Sequence, residues 1–69
     1  NDLKFEYKDF YIQHLGKLYF DRGQYPQAMN CFKQALELRL KKSNPELIAS
    51  TEWAIHFTQL KLDLINSSN

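Results

Sequence analysis

This sequence has few residues that end helices, with two glycines and two prolines among 69 residues. Its single cysteine, Cys31, cannot form an internal disulfide, which excludes a small disulfide-stabilised scaffold. No apolar run approaches the roughly 18 residues that a transmembrane helix needs. The net charge of +1 gives no electrostatic reason to expect binding to nucleic acid or to an anionic membrane.

The composition is that of a small globular domain. Hydrophobic residues make up 43% of the chain and charged residues 25%, which excludes a disordered or collagen-like segment. The length corresponds to a single domain over residues 1–69, and its stability is expected to be marginal because a chain this short has a small core. The chain starts at Asn1 without a secretory signal peptide, so we expect a cytoplasmic segment of a longer protein.

Two breaks divide the chain into three periodic segments. Gly23 can adopt the left-handed conformation that ends a helix, and Pro26 fits the first turn of the next one. Asn44 followed by Pro45 is a strong helix start. No alternation typical of strands occurs. The sequence therefore predicts an all-α fold with helices at about 4–21, 25–42 and 45–65 and a polar tail at 66–69.

The third predicted helix is apolar on two faces. One stripe has helical spacing and consists of Trp53, Phe57, Leu60 and Leu64. The second stripe lies on nearly the opposite side and consists of Ile48, Ile55, Leu62 and Ile65. A helix with two apolar faces needs neighbours on both. The first two helices can cover one face, so we expect the other to contact something outside this chain.

The first two helices carry a pattern known from one repeat family. The pattern comprises Ile12, Leu15, Gly16, Tyr19, Gly23, Tyr25, Ala28, Phe32 and Ala35. Their spacing resembles that of a tetratricopeptide repeat over about residues 10–43. The resemblance implies an antiparallel helix-turn-helix within an α-solenoid. Two departures are an isoleucine, Ile12, in place of the usual tryptophan, and a closing proline that arrives only at Pro45.

The third helix is similar to the first helix of a following repeat, on the basis of Trp53-Ala54-x-x-Phe57. A capping helix is the alternative interpretation. We expect the next repeat or a second copy of the chain to contact this helix at Ile48, Ile55, Leu62 and Ile65.

Charged residues outside these patterns are assigned to the polar side of the first helix and to the end of the second. Asp9 falls on the polar side of the first helix. The cations Arg39, Lys41 and Lys42 lie in the last turn of the second helix, where they complement the helix macrodipole. We favour this interpretation over an anion-binding patch.

Candidate catalytic residues are scarce. His14, His56 and Cys31 are the only candidates for nucleophilic or metal chemistry, and no two of them have the spacing of metal ligands on a helix. The sequence also lacks a glycine-rich phosphate loop. We therefore expect a non-catalytic protein without cofactor or metal.

The polar side of the first helix is the candidate binding surface. It carries Phe10, Gln13, His14, Lys17, Phe20 and Asp21. The resemblance implies that this side faces the concave groove of a repeat array, where it would bind an extended peptide with an apolar anchor and an acidic group. Alternatively, the aromatic residues pack on a neighbouring repeat. Two further hypotheses are an oligomerisation module that pairs through the third helix and a regulatory segment of a larger sensor or enzyme.

Overall fold

The computed structural model describes residues 7–67, and within them the chain forms three α-helices and no strand. The helices are α1 (Lys8–Asp21), α2 (Tyr25–Lys42) and α3 (Pro45–Ser67). The all-α prediction is confirmed, and the predicted bounds of α2 match. Helix α3 continues through the first half of the predicted polar tail. The predicted start of the first helix at residue 4 lies outside the described residues.

The turn between α1 and α2 depends on Gly23. Its φ of 77° lies in the left-handed region that side chains other than glycine adopt only at a cost. In this conformation the amide of Gly23 donates to the carbonyl of Phe20 at 3.0 Å, and that of Gln24 donates to Tyr19 at 2.9 Å. These bonds satisfy carbonyls at the end of α1 and reverse the chain, so that α2 runs back along α1.

The turn between α2 and α3 is built from Ser43 and Asn44. Ser43 has a φ of 58°, an uncommon value for a residue with a side chain. The side-chain Oδ1 of Asn44 accepts hydrogen bonds from the amides of Glu46 at 3.1 Å and Leu47 at 3.2 Å. Asn44 therefore caps α3, as the Asn-Pro pair predicts.

Helix α2 packs against both of the other helices. Its buried residues include a line at helical spacing formed by Ala28, Phe32, Ala35 and Arg39. Small residues let α1 approach: a Cβ atom built on Gly16 would lie 2.7 Å from the ring of Phe32. The ring of Phe32 thus occupies the space that a side chain at position 16 would need.

The residues of the repeat pattern form most of the contact between α1 and α2. Five are buried, namely Ile12, Gly16, Ala28, Phe32 and Ala35. Leu15, Tyr19 and Tyr25 are half-buried, and Gly23 is exposed in the turn. Leu15 and Tyr19 pack on a buried cluster that contains Ile12, Cys31 and Ala35. The pattern thus marks the packing of one helix pair.

Helix α3 buries two polar residues against the rest of the chain. Thr51 and Thr58 are fully buried. The hydroxyl of Thr58 donates to the carbonyl of Ala54 in its own helix at 2.7 Å, which removes most of the cost of burying it. On the same side, Ile48, Ile55 and Leu62 are half-buried, whereas Ile65 is exposed. The opposite stripe, which contains Trp53, is exposed.

Candidate functional site

A cavity of about 340 Å³ lies between α1 and α3, and we call it the groove. Helix α1 contributes Lys17, Phe20 and Asp21, helix α2 contributes Phe32, and helix α3 contributes Ala54, Phe57 and Lys61. The groove exists because the chain places α1 and α3 side by side with α2 behind them. Its volume lies within the usual range of about 300–1,000 Å³ for ligand sites.

The groove combines apolar walls with charged residues. Aromatic rings come from all three helices: Phe20, Phe32 and Phe57. Lys17 and Lys61 approach from opposite walls, because one lies on α1 and the other on α3. Asp21 adds a negative charge on the α1 wall. The surface that these residues present to the cavity is apolar, and the charged side chains of Lys17, Asp21 and Lys61 are exposed, so the cavity can hold an apolar side chain.

The structure divides the six candidate residues of the binding surface. Lys17, Phe20 and Asp21 line the groove. Phe20 is held by an edge-on contact with the ring of Tyr25, at 5.1 Å between centroids. Phe10, Gln13 and His14 do not line it. Phe10 and His14 are exposed farther along α1, and Gln13 is half-buried next to α3.

Phe10 belongs to a second site, at the other end of α1. Its ring lies 5.1 Å from the guanidinium of Arg39 and 5.4 Å from the ammonium of Lys42. These distances are typical of cation–π contacts. The ring therefore covers charged groups that themselves lie between helices.

Asp9 is the centre of this second site. Its carboxylate is 1% exposed and accepts hydrogen bonds from Nε of Arg39 at 3.0 Å and from Nζ of Lys42 at 2.6 Å. Arg39 is also buried, so this ion pair is shielded from water. Helices α1 and α2 are thus joined by a charged contact as well as by apolar packing.

Arg39 extends the contact to α3. Its Nη1 donates to the hydroxyl of Thr51 at 2.7 Å and to the carbonyl of Leu47 at 3.3 Å. The Thr51 hydroxyl in turn lies 3.2 Å from Oε1 of Gln13 and 3.0 Å from the Leu47 carbonyl. Because a hydroxyl carries one proton, it donates to one of these acceptors at a time. We call Asp9, Gln13, Arg39, Lys42 and Thr51 the polar cluster, and it joins all three helices.

The surroundings of Asp9 favour its charged form. Burial by itself raises the pKa of this carboxyl. The hydrogen bonds from Lys42 and Arg39, together with their positive charges, more than offset burial, so that the pKa lies below the ordinary value of 3.8. Every buried side-chain nitrogen and oxygen within residues 7–67 has a hydrogen-bond partner. The polar cluster is therefore a satisfied structural network.

The tetratricopeptide repeat model matches residues 13–40, which cover most of α1 and all but the last residues of α2. Residues 13–40 are therefore similar to a tetratricopeptide repeat. No curated protein and no solved structure shows a significant match to the chain. The structure agrees with the family match, because two antiparallel helices carry the repeat and their pattern residues pack together.

Tetratricopeptide repeats typically mediate protein–protein interaction and are not catalytic. In the described part of the chain, no three His, Cys, Asp or Glu side chains lie close enough together to hold a metal ion. The Cys31 thiol is buried, and burial raises its pKa, which keeps the thiol protonated and unreactive. None of the helices within residues 7–67 is long and apolar enough to cross a membrane.

The polar cluster lies partly outside the repeat match, and the sequence interpretation missed it. Asp9 was assigned to the polar side of the first helix, whereas it is buried against Arg39. The cations Arg39, Lys41 and Lys42 lie in the last turn of α2, as predicted. A signal for Arg39 was present: it continues the line of Ala28, Phe32 and Ala35 at helical spacing. No comparable signal marked Asp9, whose partners lie about 30 positions away in the chain.

Proposed function

We propose that the groove binds an extended segment of a partner protein, with an apolar side chain on the aromatic rings and an acidic group near the lysines. The observation that carries this proposal is that Lys17 and Lys61 flank a cavity with apolar walls. Burying one large apolar side chain supplies affinity, and a charge-assisted contact supplies orientation. Protein interfaces commonly combine a buried apolar anchor with charged residues around it in this way.

The charges around the groove favour one position for the acidic group of the partner. Asp21 lies on the same wall as Lys17, so an acidic group on the partner is repelled at one position and attracted at the other. Lys61 reinforces the attraction from the opposite wall. We therefore expect the acidic group to bind between the two lysines and away from Asp21.

The remaining candidate residues extend this surface along α1. His14 is exposed and Gln13 is half-buried, so we propose that they contact parts of the partner beyond the cavity. Phe10 is already packed over Arg39 and Lys42, and we propose for it an edge contact with the partner rather than the anchor pocket.

A random peptide library displayed on phage tests the proposal without knowledge of the natural partner. We expect selected peptides to combine an aromatic or aliphatic residue with a nearby Asp or Glu. Synthetic versions should lose at least about tenfold in affinity, or 1.4 kcal/mol, on the variants Lys17→Glu and Lys61→Glu, because each change removes an attraction and adds a repulsion. Fluorescence anisotropy measures the affinity.

Lys33→Glu provides a matched control, since Lys33 is exposed on α2 and does not line the groove. This variant should bind the peptides as the wild type does, and circular dichroism should show the same helix content for all three variants. Peptides that bind the Lys17→Glu and Lys61→Glu variants with undiminished affinity would contradict the proposal.

A further inference from the structure

Helix α3 exposes a continuous apolar stripe on the side opposite its buried threonines. The stripe consists of Trp53, Phe57, Leu60 and Leu64, whose exposed fractions are 60%, 51%, 45% and 65%. Contiguous apolar surface of this kind marks an interaction site on a small protein. The stripe is separate from the polar cluster, and only Phe57 also lines the groove.

The aromatic end of the stripe is ordered by contacts within α3. The rings of Trp53 and Phe57 stack at 5.4 Å with an interplanar angle of 24°. The His56 ring meets Trp53 edge-on at 5.9 Å. Because these side chains already hold one another in place, an incoming surface loses less entropy in ordering them.

We propose that this stripe is a homodimer interface, at which α3 of one chain packs antiparallel against α3 of a second copy. The spacing of the four residues is four, three and four positions, so the stripe reads the same in both directions. An antiparallel pair related by a two-fold axis therefore places Trp53 opposite Leu64 of the second copy and Phe57 opposite Leu60 of the second copy. Each aromatic residue meets a leucine, as interlocking side chains require.

The edges of the stripe favour the antiparallel arrangement. One edge carries His56 and Asp63, and the other carries Ala54 and Lys61. In an antiparallel pair equivalent edges meet, so His56 lies beside Asp63 of the second copy, where its ring N–H can donate to the carboxylate. Asp63 already accepts from Gln59 through Oδ1 at 2.9 Å, which leaves Oδ2 for this contact. A parallel pair would instead place Trp53 on Trp53 and bring His56 toward Lys61.

A shallow depression at the aromatic end of the stripe gives the incoming leucine a place to pack. It is lined by Ala49, Glu52, Trp53 and His56. In the antiparallel register this depression faces Leu64 of the second copy. Leu64 is itself the most exposed residue of the stripe, at 65%, so each chain offers both the projecting side chain and the depression.

The area of the surface is small for a stable dimer. Large side chains bury about 150–250 Å² when fully covered, and those of the stripe are about half exposed, so each copy contributes on the order of 400 Å². The total lies below the roughly 1,200 Å² at which stable complexes begin. We therefore expect a reversible dimer with a dissociation constant in the micromolar range.

Sedimentation equilibrium of the 69-residue chain tests the dimer. The average mass should rise from that of one chain to that of two across micromolar concentrations. Leu60→Glu should raise the dissociation constant at least about tenfold, because it places two carboxylates in the centre of the apolar contact. Leu60 does not line the groove, and dissociation uncovers Phe57, so this variant should bind peptide at least as tightly as the wild type.

Leu40→Glu is the matched control, because Leu40 is similarly exposed, at 53%, but lies on α2. It should dimerise as the wild type does, with equal helix content for both variants by circular dichroism. The proposal is overturned if the wild type stays monomeric at millimolar concentration, which would leave the stripe for a following helix of a longer chain. It is also overturned if both variants dissociate alike.

Crosslinking tests the orientation in a Cys31→Ala background. One chain carries His56→Cys and the other Asp63→Cys, and a short bifunctional maleimide links neighbouring thiols. The antiparallel pair predicts that this mixture crosslinks more efficiently than a mixture of His56→Cys with Lys61→Cys. More efficient crosslinking of the His56→Cys and Lys61→Cys mixture would indicate a parallel pair and overturn the proposed register.

Discussion

At the scale of single residues, the contact between Asp9 and Arg39 has the largest energetic consequence. Both side chains are buried, and Arg39 donates a hydrogen bond to Asp9 at 3.0 Å. Removing one partner of a buried pair leaves an uncompensated charge, which costs about 3–5 kcal/mol. A surface ion pair is worth about 0–1 kcal/mol, so burial decides which charges of this chain matter for stability.

Asp9→Asn should lower the free energy of unfolding by about 3–5 kcal/mol at neutral pH, because the amide keeps the shape of the side chain but leaves Arg39 without its counter-charge. The pKa of Asp9 is depressed in the folded chain, so its stabilising charge is present above about pH 4 and is lost as the pH falls through the folded value. The difference between the variant and the wild type should therefore shrink as the pH falls below about 4.

Urea unfolding at a series of pH values measures this difference. The control is Asp21→Asn, since Asp21 is an exposed acid on the same helix and should change the free energy of unfolding by less than about 0.5 kcal/mol. A difference for Asp9→Asn that stays constant from neutral to acid pH would show that the charge of Asp9 does not stabilise the fold.

The sequence was informative at the residue scale only where periodicity marks a position. Burial of Phe32 and Ala35 was predictable, because their spacing keeps them on one face of α2, and Ile12 falls on the apolar face of α1. The partner of Asp9 was not predictable, because helical spacing on α1 says nothing about which side chain of α2 lies across from it. The groove shows the same limit: Lys17 and Phe20 were predicted, whereas Lys61 comes from the third helix.

At the scale of elements, boundaries were predictable because local chemistry sets them. Gly23 ends α1 through its left-handed backbone conformation. Asn44 begins α3 through a hydrogen bond that its side chain accepts from the amide of Glu46. The orientation of α3 was harder, since both of its stripes are apolar. The structure places Thr51 and Thr58 inward, and each satisfies its hydroxyl by bonding a carbonyl four positions earlier. A pattern of hydrophobic residues does not predict that a threonine can be buried in this way.

The close contact between α1 and α2 gives an element-scale prediction. Gly16→Ala places a Cβ 2.7 Å from the ring of Phe32, and overpacking of a core costs about 1–3 kcal/mol. Alanine returns about 1 kcal/mol through its higher helix propensity. We expect a net loss of up to about 2 kcal/mol in the free energy of unfolding, measured in urea.

In a Phe32→Leu background the ring is absent and the remaining close neighbour is the Cβ of Cys31 at 3.1 Å, so the same Gly16→Ala change should cost less than in the wild type. The smaller loss identifies the ring contact as the main reason for glycine at position 16. An equal loss in both backgrounds would assign the role of Gly16 to something other than Phe32.

At the scale of the whole molecule, the fold is a short stack in which α2 contacts both neighbours, while α1 and α3 make little direct contact. In such a stack each helix is stabilised by its neighbour, so α3 can open while α1 and α2 stay folded. Thr51 holds α3 to Arg39, whereas the hydroxyl of Thr58, equally buried, bonds only within its own helix. Substituting each threonine in turn therefore distinguishes the attachment of α3 to α2 from the stability of α3 itself.

Thr51→Val should weaken the attachment of α3 by about 1–2 kcal/mol, since it removes a hydrogen bond to a charged group and leaves the volume unchanged. Amide hydrogen exchange should then accelerate about 5- to 30-fold along α3, with little change in the slowest amides of α2. Thr58→Val removes a hydroxyl of equal burial and should change exchange less than about 5-fold. Equal acceleration in the two variants would show that Thr51 contributes only the hydrogen bond to Leu47 within its own helix. The polar cluster would then not attach α3 to the first two helices.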